Sequence, residues 1–334
     1  MRSSALTSVL SAFSLALLGA CTTDKTLTAP ANSKPIDSLM TPADTFAAKF
    51  LPLVGQIAFV STRDGSPHIY VAAADGSSLR RLTKGQSPSW SSDGRQIFFS
   101  GMDYVGDSSI HVINADGSGE RVVQVGGHRA DLSPDGSRLA LTTELGIYVA
   151  NSDGSNPKLL VSSDWQRPGD MVGDAGWSPD GTRIAFTSGD YDLFGFGIYV
   201  ANADGSGVYG TVMPGYFPRW SPDGSMIAFS THTFTFFPGN GPHSPTMVFA
   251  VGVAKPDGSD MRLVDAGNLI ADEPDWSPDG RSLLFVGTTG SSQARIFVTD
   301  PTFRATRQLV PDAVAPTLPT YSDYGAVWSR VVVP

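Results

Sequence analysis

The chain has 334 residues, one cysteine, 23 basic and 32 acidic side chains and a formal net charge of −9. A lone cysteine excludes an internal disulfide. The acidic balance argues against a nucleic-acid partner, which selects for a basic surface. The first element in chain order is a leader. Arg2 supplies a positive start, Ala5 to Leu18 an apolar stretch too short to span a bilayer, and Leu18-Gly-Ala-Cys21 follows at once.

The small residues before Cys21 resemble a bacterial lipobox. That resemblance implies a lipoprotein signal peptide over residues 1–20 and a lipidated Cys21 at the mature N-terminus. Thr22 in place of Asp implies, by the enterobacterial sorting rule, the outer membrane. Residues 21–50 are rich in Thr, Ala, Pro, Ser and Lys with no apolar period, so they are expected to form the lipidated cysteine and a flexible tether. The mature sequence has no apolar run long enough for a spanning helix, which leaves the lipid as the expected anchor to the cell envelope, on its periplasmic or surface face.

From residue 51 onward one pentapeptide recurs: Trp90-Ser-Ser-Asp-Gly94, Leu132-Ser-Pro-Asp-Gly136, Trp177-Ser-Pro-Asp-Gly181, Trp220-Ser-Pro-Asp-Gly224 and Trp276-Ser-Pro-Asp-Gly280. A repeat of roughly 40–50 residues is the period of a β-propeller blade. A short apolar strand follows in step: Ile57-Ala-Phe59, Ile97-Phe-Phe99, Leu139-Ala-Leu141, Ile184-Ala-Phe186, Ile227-Ala-Phe229 and Leu283-Leu-Phe285. Then come Ile-Tyr-Val strands such as Ile69-Tyr-Val71 and Ile198-Tyr-Val200, each followed by an Asp-Gly turn, and an outer strand such as Leu79-Arg-Arg-Leu82. In the sixth repeat the Asp-Gly turn has degenerated to Thr302-Phe303.

The six Ile-Ala-Phe strands set the blade count. The pentapeptide missing from the first of them reappears at the far end as Ala326-Val-Trp-Ser329. The expected fold over residues 51–334 is therefore all-β: a six-bladed β-propeller of four-stranded antiparallel blades, closed by the C-terminal strand pairing with the N-terminal blade. Within each hairpin, Pro presets φ, Asp caps its own backbone and Gly takes the left-handed position. The Trp residues are expected in the core between blades and the turn Asp residues are not expected to be catalytic.

The pattern Pro218-Arg-Trp-Ser-Pro-Asp-Gly-Ser-Met-Ile-Ala-Phe-Ser230, with Ile198-Tyr-Val-Ala-Asn-Ala-Asp-Gly205, resembles the WD40-like PD40 repeat of TolB-type β-propellers over about residues 55–330. The family's TolB proteins carry an N-terminal α/β domain and are soluble in the periplasm, whereas a polar tether and a lipidation signal precede the first blade here. Similar repeats occur in prolyl-oligopeptidase-type peptidases, but the sequence has no Gly-x-Ser-x-Gly nucleophile elbow and no peptidase activity is expected.

The five histidines show no ligand spacing, so neither metal nor cofactor is expected. His68 and His111 are expected to be structural, and His128 is placed to reach the central channel. The hairpin turns within each repeat are short, while the insertions fall in the other connections, Gly101–Ser108, Val161–Gly176, Ser188–Gly197, Thr231–Thr246 and Pro311–Tyr324. In a propeller these share the opposite face, where variable loops on a rigid scaffold bind. Candidate binding residues there are the aromatic Trp165, Tyr191, Phe194, Phe236, Tyr216 and Tyr324. The charged candidates are His128, Arg129, Arg219, Asp174 and Glu273. Rings flanked by carboxylates suit a protein or polysaccharide partner.

The expected function is that of a monomeric, non-catalytic envelope lipoprotein binding a protein or envelope polymer through this face. Two alternatives stay open. One is a carbohydrate-active lyase or hydrolase using Asp174 and Glu273 as an acid/base pair; the other is a Tol–Pal-like envelope-integrity factor.

Overall fold

Six four-stranded antiparallel sheets follow one another along the chain. They are built from β1 (Gln56–Ser61), β2 (His68–Ala73), β3 (Arg80–Lys84), β4 (Gln86–Trp90), β5 (Gln96–Met102), β6 (Ser108–Asn114), β7 (Arg121–Val125) and β8 (Gly127–Leu132). Next come β9 (Arg138–Thr143), β10 (Gly146–Asn151), β11 (Lys158–Ser162), β12 (Met171–Trp177), β13 (Arg183–Gly189), β14 (Gly197–Asn202), β15 (Val208–Pro214) and β16 (Tyr216–Trp220). The last are β17 (Ile227–Thr235), β18 (Thr246–Ala254), β19 (Arg262–Leu263), β20 (Ile270–Trp276), β21 (Leu283–Thr288), β22 (Arg295–Thr299), β23 (Thr306–Gln308) and β24 (Asp323–Trp328). The structure, a computed structural model, describes residues 53–102, 108–163, 171–189, 196–235, 246–288, 293–309 and 323–330, all within one compact unit, Ala47–Pro334.

Five blades take four consecutive strands each. The remaining one is ordered β24-β1-β2-β3, with Ile57 opposite Trp328 and Ala58 opposite Val327. The ring is therefore closed by the C-terminal strand, as the stray Trp328 copy predicts, and no innermost edge is left unpaired.

Each Ile-Ala-Phe strand is buried on both faces because it lies between two neighbouring blades. Ile57, Ala58 and Phe59 are fully buried, as are their counterparts in the other blades. Register places the Phe opposite the Tyr of the next strand: Phe59 faces Tyr70 and Phe186 faces Tyr199, with ring centroids 6.0 and 5.8 Å apart. His111 occupies the Tyr position, stacks on Phe99 at 5.2 Å and lies 3.4 Å from Glu120. His68 is buried with Nδ1 2.9 Å from the Ser66 carbonyl. Both are structural, as expected.

The Trp residues fill the gaps between blades. Trp90, Trp177, Trp220, Trp276 and Trp328 are all buried, and Arg138 and Arg183 lie over the rings of Trp177 and Trp220 at 4.6 and 4.7 Å. In the hairpin after Trp90, the Ser91 hydroxyl donates to Asp93 Oδ1 at 2.6 Å, the Arg95 amide donates to the same oxygen, and Gly94 is left-handed at φ 67°. The Ser91 hydroxyl holds the Asp93 carboxyl low, and Asp135, fixed first by Ser133, lies at about 2. They are turn locks.

In the degenerate sixth turn, Asp300 Oδ1 accepts the amides of Arg304 and Ala305, and Phe303 takes the left-handed position at φ 58°. Phe303 packs edge-on against Trp276 at 5.9 Å, contact that a glycine cannot make.

One insertion is shorter than the sequence suggests. Residues 231–235 and 246–250 are not loop but an extension of the β17/β18 hairpin, in which His232 faces Phe249. The alternation Thr231-His-Thr-Phe-Thr235 provides the period-2, β-branched pattern of a strand. Likewise Met171 to Gly176, which includes Asp174, belongs to β12.

Candidate functional site

The six innermost strands, β24, β4, β8, β12, β16 and β20, surround a central channel. Each ends on the Trp, or on Leu132 in β8, that opens the next hairpin. Three residues before these positions stand Ser87, Arg129, Asp174, Phe217, Glu273 and Gly325. Five of the six have left-handed backbone, with φ of 50° at Ser87, 55° at Asp174 and Phe217, 50° at Glu273 and 60° at Gly325. At each, pairing with the adjacent strand slips register. β8 slips as well, after left-handed Gly126.

These are β-bulges, which re-aim a side chain and break the alternation of the strand. A left-handed conformation costs a non-glycine residue about 1–2 kcal/mol. Such strain gathers at binding and catalytic sites. Here four non-glycine residues bear it in one ring.

The bulged residues open into a cavity of about 270 Å³ near the start of the innermost strands, the face that carries the long connections. Its walls include Gln86, His128, Arg129, Asp174, Phe217 and Glu273. One layer deeper the channel pinches to about 20 Å³ among Ser89, Asp131, Arg219, Asp275 and Arg330. The end with the long connections is wide and the hairpin end nearly shut.

Charge is arranged in two layers. At the mouth, Arg129 Nη1 lies 3.7 Å from Asp174 Oδ1, with side-chain exposures of 16% and 22%. Glu273 Oε2 accepts the Gly325 amide at 2.5 Å. Deeper, Asp131 accepts the Trp177 amide at 2.8 Å and the Ser89 hydroxyl at 3.0 Å, and Asp275 accepts the Trp328 amide at 2.6 Å. Those deep carboxylates tie one blade to the next.

Burial pushes the Glu273 carboxyl up to about 7, with the neighbouring Asp272 adding to the shift and the Gly325 amide and Arg129 opposing it. Burial likewise raises Asp275 to about 6, and raises Asp174 and Asp272.

A second cavity of about 370 Å³ lies off the axis between β12 and β16 and shares Gly173, Asp174 and Phe217 with the mouth. Its walls are mainly apolar: Val172, Phe196, Tyr216, Phe217 and Phe249, with His232 and Asp272.

The fold thus brings Arg129, Asp174, Tyr216, Glu273 and His128 to one end of the channel. Asp174 and Glu273 share a cavity, but each carboxylate is engaged, one by Arg129 and the other by the Gly325 amide. His128 stands at the rim, with Nε2 3.9 Å from Glu144. Arg219 is buried and lines both the mouth cavity and the constriction below it, and its Nη1 donates to the Pro218 carbonyl at 2.7 Å.

Tyr324 lies on β24, its backbone paired with Val60. Cys21, Trp165, Tyr191, Phe194 and Phe236 lie outside the described residues. Ser87, His232 and Phe249 were not expected at the site. Among the described residues no group of three or more His, Cys, Asp or Glu is placed to hold a metal ion.

Six antiparallel four-stranded blades around a channel define a β-propeller, with a cavity ringed by strained residues at one end of the axis. Residues 38–168 match the family described as PD40, TolB beta propeller domain, and the chain carries a TolB-like propeller. A Protein TolB homolog from Chlorobium luteolum is 30% identical over 172 residues, 46% of this chain and 37% of that protein, so the match spans little more than a third of the relative. The crystal structure of TolB from Acinetobacter baumannii superposes with a TM-score of 0.64 at 18% identity, covering 82% of this chain and 66% of that one. A putative TolB from Agrobacterium tumefaciens gives 0.56 at 19% identity, covering 78% and 89%.

Proposed function

We propose that this chain is a non-catalytic lipoprotein of the cell envelope that uses its TolB-like propeller to bind a segment of a partner protein at the channel mouth. The observation that carries the reading is the ring of left-handed residues, Ser87, Asp174, Phe217 and Glu273, opening into the 270 Å³ cavity. Four strained, partly desolvated side chains lower stability unless binding uses them. A mouth that offers both Arg129 and carboxylates suits a segment with polar groups of both signs. The TolB names of the relatives support an envelope location and a protein partner, and a Tol–Pal-like role is the narrower form of the same reading. Lipidation at Cys21 would hold the propeller at the membrane through the 21–50 tether.

Gly173 provides the test. It lines both cavities, and a Cβ built there meets nothing within 4 Å. Gly173→Trp is expected to keep the thermal transition of the parent while losing at least tenfold in the yield of partner cross-linked from envelope extract. Unchanged capture by a folded Gly173→Trp protein would place binding elsewhere.

A further inference from the structure

The off-axis cavity is a different kind of site from the mouth. Three of the rings in its walls stand nearly at right angles: Tyr216 meets Phe217 at 5.4 Å with planes 72° apart, and meets Phe249 at 6.2 Å with planes 77° apart. Rings set nearly at right angles build the walls of a box and offer no flat platform of the kind on which a sugar stacks. The volume, about 370 Å³, falls within the range of roughly 300–1,000 Å³ typical of small-ligand pockets.

Five of the lining residues carry polar side chains: Asp174, Thr187, Tyr216, His232 and Asp272. Asp174 is matched by Arg129. Asp272 accepts the Glu273 amide at 2.8 Å, and among the described residues no cation lies within ion-pair distance of it. Burial raises its carboxyl, the signature of a charge that has lost water without gaining a counter-ion. The Tyr216 hydroxyl is buried and has no hydrogen-bond partner among the described residues. Val172, Phe196, Phe217 and Phe249 offer no side-chain hydrogen bond to a sugar hydroxyl. A neutral apolar guest would leave the Asp272 charge unanswered.

We infer that this cavity is a cage for a methylated ammonium group, with Tyr216, Phe217 and Phe249 presenting their rings to the cation and Asp272 balancing its charge. The physics is that of a desolvated cation over ring faces, which favours a bulky, weakly hydrated cation over a strongly hydrated one. The inference goes beyond partner capture at the mouth and does not require it, since the probe is a small molecule.

The test is calorimetric titration of the full chain with choline and with its uncharged carbon isostere, 3,3-dimethylbutan-1-ol. Choline is expected to bind roughly tenfold or more tightly than the isostere, the difference one desolvated cation–π contact supplies. Phe249→Ala and Asp272→Asn are each expected to weaken choline by about the same factor. Glycerophosphocholine is run alongside: binding equal to or tighter than choline assigns the group to a lipid headgroup, and weaker binding assigns it to a free molecule. Equal binding of choline and the isostere, or no choline binding at all, overturns the cage. Because that comparison uses the parent protein, it stands even where a variant fails to fold. Choline binding with Gly173→Trp capture unchanged would sink the mouth reading and leave the cage intact.

Discussion

Glu273→Gln is expected to raise stability at pH 8 by up to about 3 kcal/mol and to leave it nearly unchanged at pH 4. The sign follows from proton linkage. The carboxyl titrates near 7 in the folded protein and near its ordinary 4.5 when unfolded. Between those values the folded state holds a proton that the unfolded state has released, so stability falls as pH rises through the window. Above 7 the whole cost is present, and a shift of this size corresponds to about 3 kcal/mol. Glutamine stays neutral throughout and keeps an oxygen able to accept the Gly325 amide, so the variant escapes the cost. Asp275, raised to about 6, leaves part of the parent slope in place. Urea midpoints at pH 4 and pH 8 provide the measurement. Equal midpoints for parent and variant at pH 8 would show that Glu273 ionises there without penalty.

This prediction also bears on function. A residue kept at φ 50°, desolvated, beside Asp272 and half a cavity from Asp174 works against the stability of its own blade. Its removal should yield a more stable protein that binds a partner less well. That opposition between stability and use is the expected mark of a binding site.

The fold was legible because a propeller writes its geometry once per blade. The Asp and Gly of each pentapeptide, and the Trp of four of the five, recur in step, and Trp328 exposed the closure by appearing without its blade. The site was legible only in part. Asp174, Glu273 and Arg129 stood out as charged residues of the long-connection face. The bulge that turns them inward did not, because Ser87, Asp174, Phe217, Glu273 and Gly325 share a backbone conformation and no side-chain type. Glycine, the residue that usually announces a left-handed position, occurs there once. His232 and Phe249 were hidden for a different reason. They lie where β17 and β18 run past the length of the repeat, so period-matching assigned His232 to the Thr231–Thr246 loop and gave Phe249 no place in the repeat. The alternation of Thr231 to Thr235 was the available signal. Asp300 was missed at its turn because the Gly that normally completes the motif is replaced by Phe303.

Closure of the ring sets the second large effect. Trp328→Ala is expected to cost about 3–5 kcal/mol, the range for truncating a buried Trp. Part of that cost is specific to this tryptophan. Its amide donates to Asp275 Oδ2 at 2.6 Å in the last blade, and its indole Nε1 donates to the Val54 carbonyl at 2.9 Å beside the first, so the residue joins both ends of the ring. Trp220 is as well buried, but its indole N–H has no partner among the described residues. The two Phe variants therefore separate packing from hydrogen bonding. Trp328→Phe keeps most of the ring area but loses the hydrogen bond to the carbonyl of exposed Val54, which should cost about 0.5–1.5 kcal/mol beyond the lost area. Trp220→Phe loses no hydrogen bond and removes an unsatisfied donor, so it should cost clearly less. Urea unfolding of the pair measures the difference directly. Equal losses at the two sites would mean that the last strand is held by burial alone, and that the indole–Val54 hydrogen bond adds nothing to the closure of the ring.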